Sequence, residues 1–247
     1  MKLEGAAVEE AREKIWMRDI KGLVVKERSS GGITEQMQPF AHDHGTEVED
    51  LSEAVKVLQP TVLIGAAGVR GAFTPEIIQD MAKFNKNPII MALSNPTSVA
   101  ECSAEEAYSN SEGRAIFASG SPFPPYLGFG RELHSSQSNN AYVYPGICLG
   151  VLSAGLHHVP DSVFLTAAEV VAGAVTEEEL AEGRLVFPKF TYDLVKIELQ
   201  DLSKSFAVEG SECEDRSESG RGGLQGGHCL HLSRACQHGG VHHEPAL

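Results

Sequence analysis

Short apolar runs alternate with stretches of helical periodicity from Ile15 to about Gly183. That alternation predicts an α/β fold, a parallel sheet covered by helices. The predicted strands are Ile15–Met17, Leu23–Val25, Val62–Gly65, Ile89–Leu93 and Ala115–Ala118. Between them, Leu51, Ala54, Val55 and Leu58 recur at helical spacing within Glu49–Leu58, as do Ile77, Ile78, Met81 and Phe84 within Pro75–Phe84. Thr74 is placed to cap the second of these helices, with Pro75 at its first position. Val8–Lys14, Glu101–Tyr108, Pro145–His157, a segment from Pro160 through Val171, and one opening at Thr176 complete the predicted helices. Glu177, Glu178 and Glu179 fall in the first turn of the last, where a helix dipole favours acids.

The pattern fades towards the carboxyl end. The window Glu209–Glu218 holds five acids, and beyond it Gly alternates with His, Cys, Arg and Ser. Residues 1–190 therefore read as one α/β unit with following helices, and 191–247 as a divergent, flexible tail with no packed core. His228, Cys229, His231, Cys236, His238, His242 and His243 concentrate soft ligands there. They lack a Cys-x-x-Cys knuckle, so a zinc site is not the expectation.

Charge narrows the function. With 20 Lys and Arg against 34 Asp and Glu, the 247-residue chain carries a formal charge of −14, which argues against nucleic acid or an anionic membrane as partner. No apolar run approaches the length of a membrane span, and Lys2, Glu4, Glu9 and Glu10 follow Met1 in place of an apolar leader, so a soluble intracellular protein is expected. Five scattered cysteines do not suggest a disulfide framework.

Four features carry chemistry. Asp19 ends a predicted strand, where an acid in a dinucleotide-binding unit accepts the adenosine ribose hydroxyls; an ordinary turn uses the same residue. Only Met1 to Lys14 precede that strand, so the phosphate-binding glycine loop and first strand of such a unit are expected to be missing. The run Gly65-Ala66-Ala67-Gly68-Val69-Arg70-Gly71 joins a strand to a helix with small residues that admit a ligand to the backbone, as tight turns also do. Ser94-Asn95-Pro96 ends a strand at the edge where open α/β sheets bind ligands, and equally reads as an Asn-Pro turn. Asn139 and Asn140 precede an apolar helix and could be loop formers.

In this order the four resemble the carboxyl-terminal half of the malic enzymes, animal type. The likeness rests on IWMRDIKGLVVKER (15–28), Ile64–Phe73, ALSNPTSVAEC (92–102), GRAIFASGSPF (113–123), NNAYVYPGICLG (139–150) and Glu182–Leu185, and covers roughly residues 5–190. It implies an incomplete Rossmann-like sheet and an oxidoreductase that converts malate to pyruvate and carbon dioxide with NAD or NADP and Mg²⁺ or Mn²⁺. Carried over by position, Asp19 meets the adenosine ribose, and Gly65, Ala66, Ala67 and Gly68 line the cofactor. Asn95 contacts the nicotinamide ribose and substrate, and Asn140 the malate carboxylate and hydroxyl.

The departures also matter. Ser135-Ser136-Gln137-Ser138 stands where the family usually has Pro-Gly-Gln-Gly, so the loop before Asn140 is expected to be strained if those glycines take positive φ. Met37 stands where NADP-selective animal members place a Lys, and the loop from Arg28 to Phe40 holds no further cation, which points to NAD or mixed use. The family's Lys base, Tyr acid and metal-binding carboxylates belong to segments before the matched stretch. The chain alone is therefore expected to be inactive. The alternative is a non-catalytic or regulatory short isoform that associates with full-length subunits; a homo-oligomer and a cytoplasmic or mitochondrial location also fit the family.

Overall fold

The computed structural model describes residues 7–43 and 47–181. The tail from residue 191, its His and Cys cluster, His44 and the Glu182–Leu185 motif lie outside the described residues. Two compact units meet in sequence between Ser135 and Ser136.

The first unit opens with helix α1 (Val8–Glu13) and a hairpin of β1 (Arg18–Asp19) and β2 (Gly22–Leu23), paired antiparallel with Asp19 opposite Gly22. This corrects the expectation of strands at 15–17 and 23–25. Ile15–Met17 is irregular, and Val24 and Val25 leave the hairpin, Val25 bridging to His42 alone. Gly22 makes the reversal possible: it takes φ +108, and a Cβ there would lie 2.5 Å from the Val48 carbonyl. Leu23, Val25, Val48 and Ala54 form a small buried cluster under Trp16, which stacks on His42 at 3.7 Å.

The rest of the unit follows the predicted pattern closely. Helix α2 (Leu51–Leu58) is capped by Asp50, whose side chain accepts from the Glu53 N–H at 3.0 Å. Strand β3 (Val62–Gly65) leads through the glycine turn to α3 (Pro75–Phe84), capped by Thr74 as expected. β4 (Ile89–Ala92), α4 (Ala104–Ser109) and β5 (Ile116–Ser119) complete the motif, and β3, β4 and β5 lie side by side in parallel in that order. Helix α4 starts three residues later than expected, because Ser103 and Glu106 close a capping box. Glu101 is thereby left outside it. The hairpin β6 (Tyr126–Gly128) and β7 (Arg131–Leu133) was not anticipated from the pattern, since Phe129 takes φ +55 at its turn beside Gly130.

Register explains the core. Leu63, Ile90 and Phe117 align across the parallel strands, and all are buried against Ile77, Ile78 and Met81 of α3 and Ala104, Ala107 and Tyr108 of α4. Burying each large side chain contributes roughly 1.5–3 kcal/mol. Two residues on, the same face carries Gly65, Ala92 and Ser119 in one row. The sheet is thus thick in its middle and thin at its carboxyl ends.

In the second unit, α5 (Tyr144–Ala154) and α6 (Asp161–Gly173) pack through Val163 and Ala167 against Val143, Ile147, Val151 and Ala154. A short helix α7 (Glu177–Ala181) follows, with Thr176 Oγ1 accepting from the Glu179 N–H at 3.2 Å. Among the described residues no helix is long and apolar enough to cross a membrane.

Candidate functional site

The carboxyl ends of β3, β4 and β5 each release a polar loop at the same end of the sheet. After β3 comes the turn Gly65–Gly71, in which Ala66, Ala67 and Gly68 are exposed and Gly68 and Gly71 take φ of +67 and +70. An L side chain at either position would be strained. After β4 comes Ser94-Asn95, with a cis peptide between Asn95 and Pro96. After β5 comes Gly120-Ser121.

These loops are tied to one another by named contacts. The Gly68 N–H donates to Ser94 Oγ at 2.8 Å, joining the glycine turn to the loop of Asn95. Ser121 Oγ donates to Asn95 Oδ1 at 2.5 Å, and the Asn95 amide reaches the Leu93 carbonyl at 3.4 Å. Ser119 Oγ in turn donates to the Ser121 carbonyl at 2.8 Å. Asn95 packs closely against Gly120, since a Cβ at that glycine would come within 2.6 Å of the Asn95 amide nitrogen. The exposed Asn95 amide is therefore oriented before any ligand arrives, which is what a hydroxyl or carboxylate contact needs.

Asp19 stands in the hairpin of the same unit with its carboxylate already engaged. Arg28 Nη1 donates to Oδ1 at 2.8 Å and Nη2 to Oδ2 at 2.9 Å, and the Lys21 N–H donates to Oδ1 at 2.8 Å. The Arg28 hydrogen bonds, set against partial burial, hold the Asp19 carboxyl below its ordinary value of 3.8. Arg28 is itself held by the Gly31 carbonyl at 2.9 Å and 3.1 Å. Asp19 thus ends β1 just before the reversal, with its carboxylate fixed in direction by Arg28 and Lys21. Met37 and Phe40 bound the following 3₁₀ turn (Gln38–Phe40), where Met37 is half-buried.

Asn140 belongs to the second unit and opens a 3₁₀ turn, Asn140–Tyr142, that feeds α5. Asn139 caps that turn by accepting the Ala141 N–H at 3.0 Å, which leaves Asn140 exposed. The strain expected from the lost glycines is not found. Among the described non-glycine residues, positive φ occurs at Gln59, Glu112 and Phe129, and not at Ser136 or Ser138.

The strand ends thus bring together exposed backbone after β3, an oriented amide after β4 and the Ser121 hydroxyl after β5. A metal site is a different matter. Among the described residues, no group of three or more His, Cys, Asp or Glu side chains comes together as one. The sequence singled out Asp19, Gly65–Gly68 and Ser94-Asn95, but not Arg28, which holds Asp19, nor Glu101, Gly120 and Ser121, which hold the loops.

Comparison with known proteins agrees with the resemblance read from the motifs. Residues 1–210 match the family described as malic enzyme, NAD binding domain. The NADP-dependent malic enzyme of Columba livia is 55% identical over 200 residues, 81% of this chain and 35% of that protein. That of Rattus norvegicus is 52% identical over 210 residues, 85% of this chain and 35% of its own length. The mitochondrial NADP-dependent malic enzyme of Homo sapiens is 48% identical over 207 residues, covering 83% and 33%. The chain spans about a third of the length of these curated relatives.

Proposed function

The chain belongs to the malic enzyme family, matching its NAD-binding domain, and from that membership we propose that it forms the coenzyme-holding part of an enzyme that oxidatively decarboxylates malate to pyruvate and carbon dioxide. The observation that carries this reading is the linked set of loops at the carboxyl ends of β3, β4 and β5, the edge of an open α/β sheet at which ligands bind. NAD or NADP bound there supplies the hydride acceptor. The chain's residues hold and orient it: Gly65, Ala66, Ala67 and Gly68 let it approach the backbone, Asp19 accepts the adenosine ribose, and Asn95 meets the nicotinamide ribose and the substrate. Asn140 takes the malate carboxylate and hydroxyl. Residues 1–190 carry these roles, and 191–247 stand apart from them.

Coenzyme choice is read from opposing features. The relatives named above are NADP-dependent malic enzymes, whereas this chain keeps Asp19 and has Met37 where a Lys would meet a 2′-phosphate. A 2′-hydroxyl suits a carboxylate, so we assign NAD or mixed use. The Mg²⁺ or Mn²⁺ of the family finds no donor set among the described residues, and no step on this chain runs through it. The base and acid are assigned to parts of the family's length that this chain does not span. Location in the cytoplasm or, as with the mitochondrial relative, in mitochondria is compatible with this role, as is assembly with further subunits.

A coupled assay with malate, Mn²⁺ and NAD⁺ or NADP⁺, beside a full-length malic enzyme, tests it. The purified chain is expected to bind coenzyme without turnover. Turnover near that of the control would mean that this chain supplies its own base and metal site. A chain that is inert alone but changes the activity of added full-length subunits supports the regulatory reading.

A further inference from the structure

A carboxylate is buried directly beneath the glycine turn. Glu101 is 1% exposed, and the missing side chain of Gly65 leaves room for it: a Cβ at Gly65 would lie 2.5 Å from Glu101 Cγ and 2.7 Å from its Cδ. A buried acid with no role is costly, so its partners are informative.

Glu101 gathers donors from two loops. Oε1 accepts the Ala67 N–H at 3.3 Å and the Ser94 hydroxyl, and Oε2 accepts the Ser94 N–H at 3.3 Å. Ser94 Oγ passes the connection on by accepting the Gly68 N–H. The main chain of the same segment grips the far end of the turn, with the Gly71 N–H on the Ala100 carbonyl at 3.2 Å and the Phe73 N–H on that of Glu101 at 3.0 Å. The turn after β3 and the loop carrying Asn95 are thus referenced to one side chain.

We propose that Glu101 is a positioning residue of the dinucleotide site, fixing the glycine turn and the Asn95 loop in the relative arrangement that the coenzyme requires. The assignment rests on the coenzyme reading above. Its chemistry is specific, because Oε1 meets the Ala67 N–H and the Ser94 hydroxyl while Oε2 meets the Ser94 N–H, so both oxygens face donors. Glu101→Gln keeps the volume but turns an NH₂ group against a donor. Ser94→Ala removes only the hydroxyl that links Glu101 to Gly68.

The test is fluorescence titration of the full chain with NADH and NADPH, with melting curves and amide exchange at Ala67 and Gly68 measured alongside. At a temperature where each protein is folded, Glu101→Gln and Ser94→Ala are expected to bind about tenfold more weakly and to exchange faster at Gly68. A merely structural Glu101 would lower the melting temperature and leave the affinity of the folded protein unchanged, which overturns the assignment while keeping the coenzyme reading. Wild-type chain that binds neither coenzyme overturns both. Ser94→Ala keeps the test readable should Glu101→Gln fail to fold.

Discussion

Arg28 holds Asp19 by both carboxylate oxygens, at 2.8 Å and 2.9 Å, with the Arg28 side chain 1% exposed and that of Asp19 28%. A bidentate pair of this kind fixes direction as well as charge. Removing the cation leaves a partly buried anion and frees the Gly31 carbonyl, so Arg28→Ala is expected to destabilise the chain by about 3 kcal/mol in urea unfolding. The pair is also pH-dependent. Because Asp19 is depressed below 3.8, its stabilisation is fully present above that value and lost as pH falls through the lower folded-state value. The stability gap between wild type and Asp19→Asn is therefore expected to be constant near neutrality and to close below about pH 4.

The same carboxylate sets coenzyme choice under the reading above. Asp19→Asn removes the charge that repels a 2′-phosphate and weakens the acceptor for a 2′-hydroxyl. The ratio of NADP⁺ to NAD⁺ affinity is expected to rise about fivefold, measured by calorimetric titration of both coenzymes. An unchanged ratio would show that Asp19 does not face the ribose.

Gly120 keeps Asn95 in place through absence of a side chain. A Cβ there would collide with the Leu93 carbonyl and lie 2.6 Å and 2.7 Å from the Asn95 amide atoms. Gly120→Ala is expected to cost about 1–3 kcal/mol of stability and to weaken coenzyme binding several-fold more than Asn95→Ser does. Parallel denaturation and titration series check this.

Cys102 offers a chemical probe of the core around Glu101. Burial first, then the neighbouring Glu106 and Glu101 charges, push its thiol up to about 12. Only the thiolate reacts. Maleimide labelling of the native chain at pH 8 with peptide mapping should leave Cys102 unmodified and label Cys148, which is only half-buried. Labelling of Cys102 without denaturant would show that α4 opens away from the sheet.

The sequence made the turn after β3 and the Asn95 loop readable as strand ends, because a short apolar run that stops at Gly or Ser-Asn-Pro before a helical pattern marks a strand leaving its sheet. Helix α3 was readable to its ends for the same reason: Thr74 and Pro75 mark its start and the spacing of Ile77, Ile78, Met81 and Phe84 marks its face. Asp19 was identified, but not its partner, since Arg28 lies nine residues on and meets it only through the reversal at Gly22. Glu101 was read as the first residue of a helix. Helical periodicity cannot separate an acid in a first turn from one folded back beneath a neighbouring loop; the signal was Gly65, a glycine at a strand end in line with small residues on its neighbours. The β6–β7 hairpin escaped because a Phe seldom occupies its turn conformation.

The most direct measurement is amide hydrogen exchange of the full chain with and without saturating NADH or NADPH. Protection is expected at residues 65–71, 94–97 and 119–121 together, the three loops at the carboxyl ends of β3, β4 and β5, with a smaller effect at the Asp19 hairpin. No protection by either coenzyme, or protection confined to segments away from those strand ends, would contradict the assignment of this edge as the dinucleotide site.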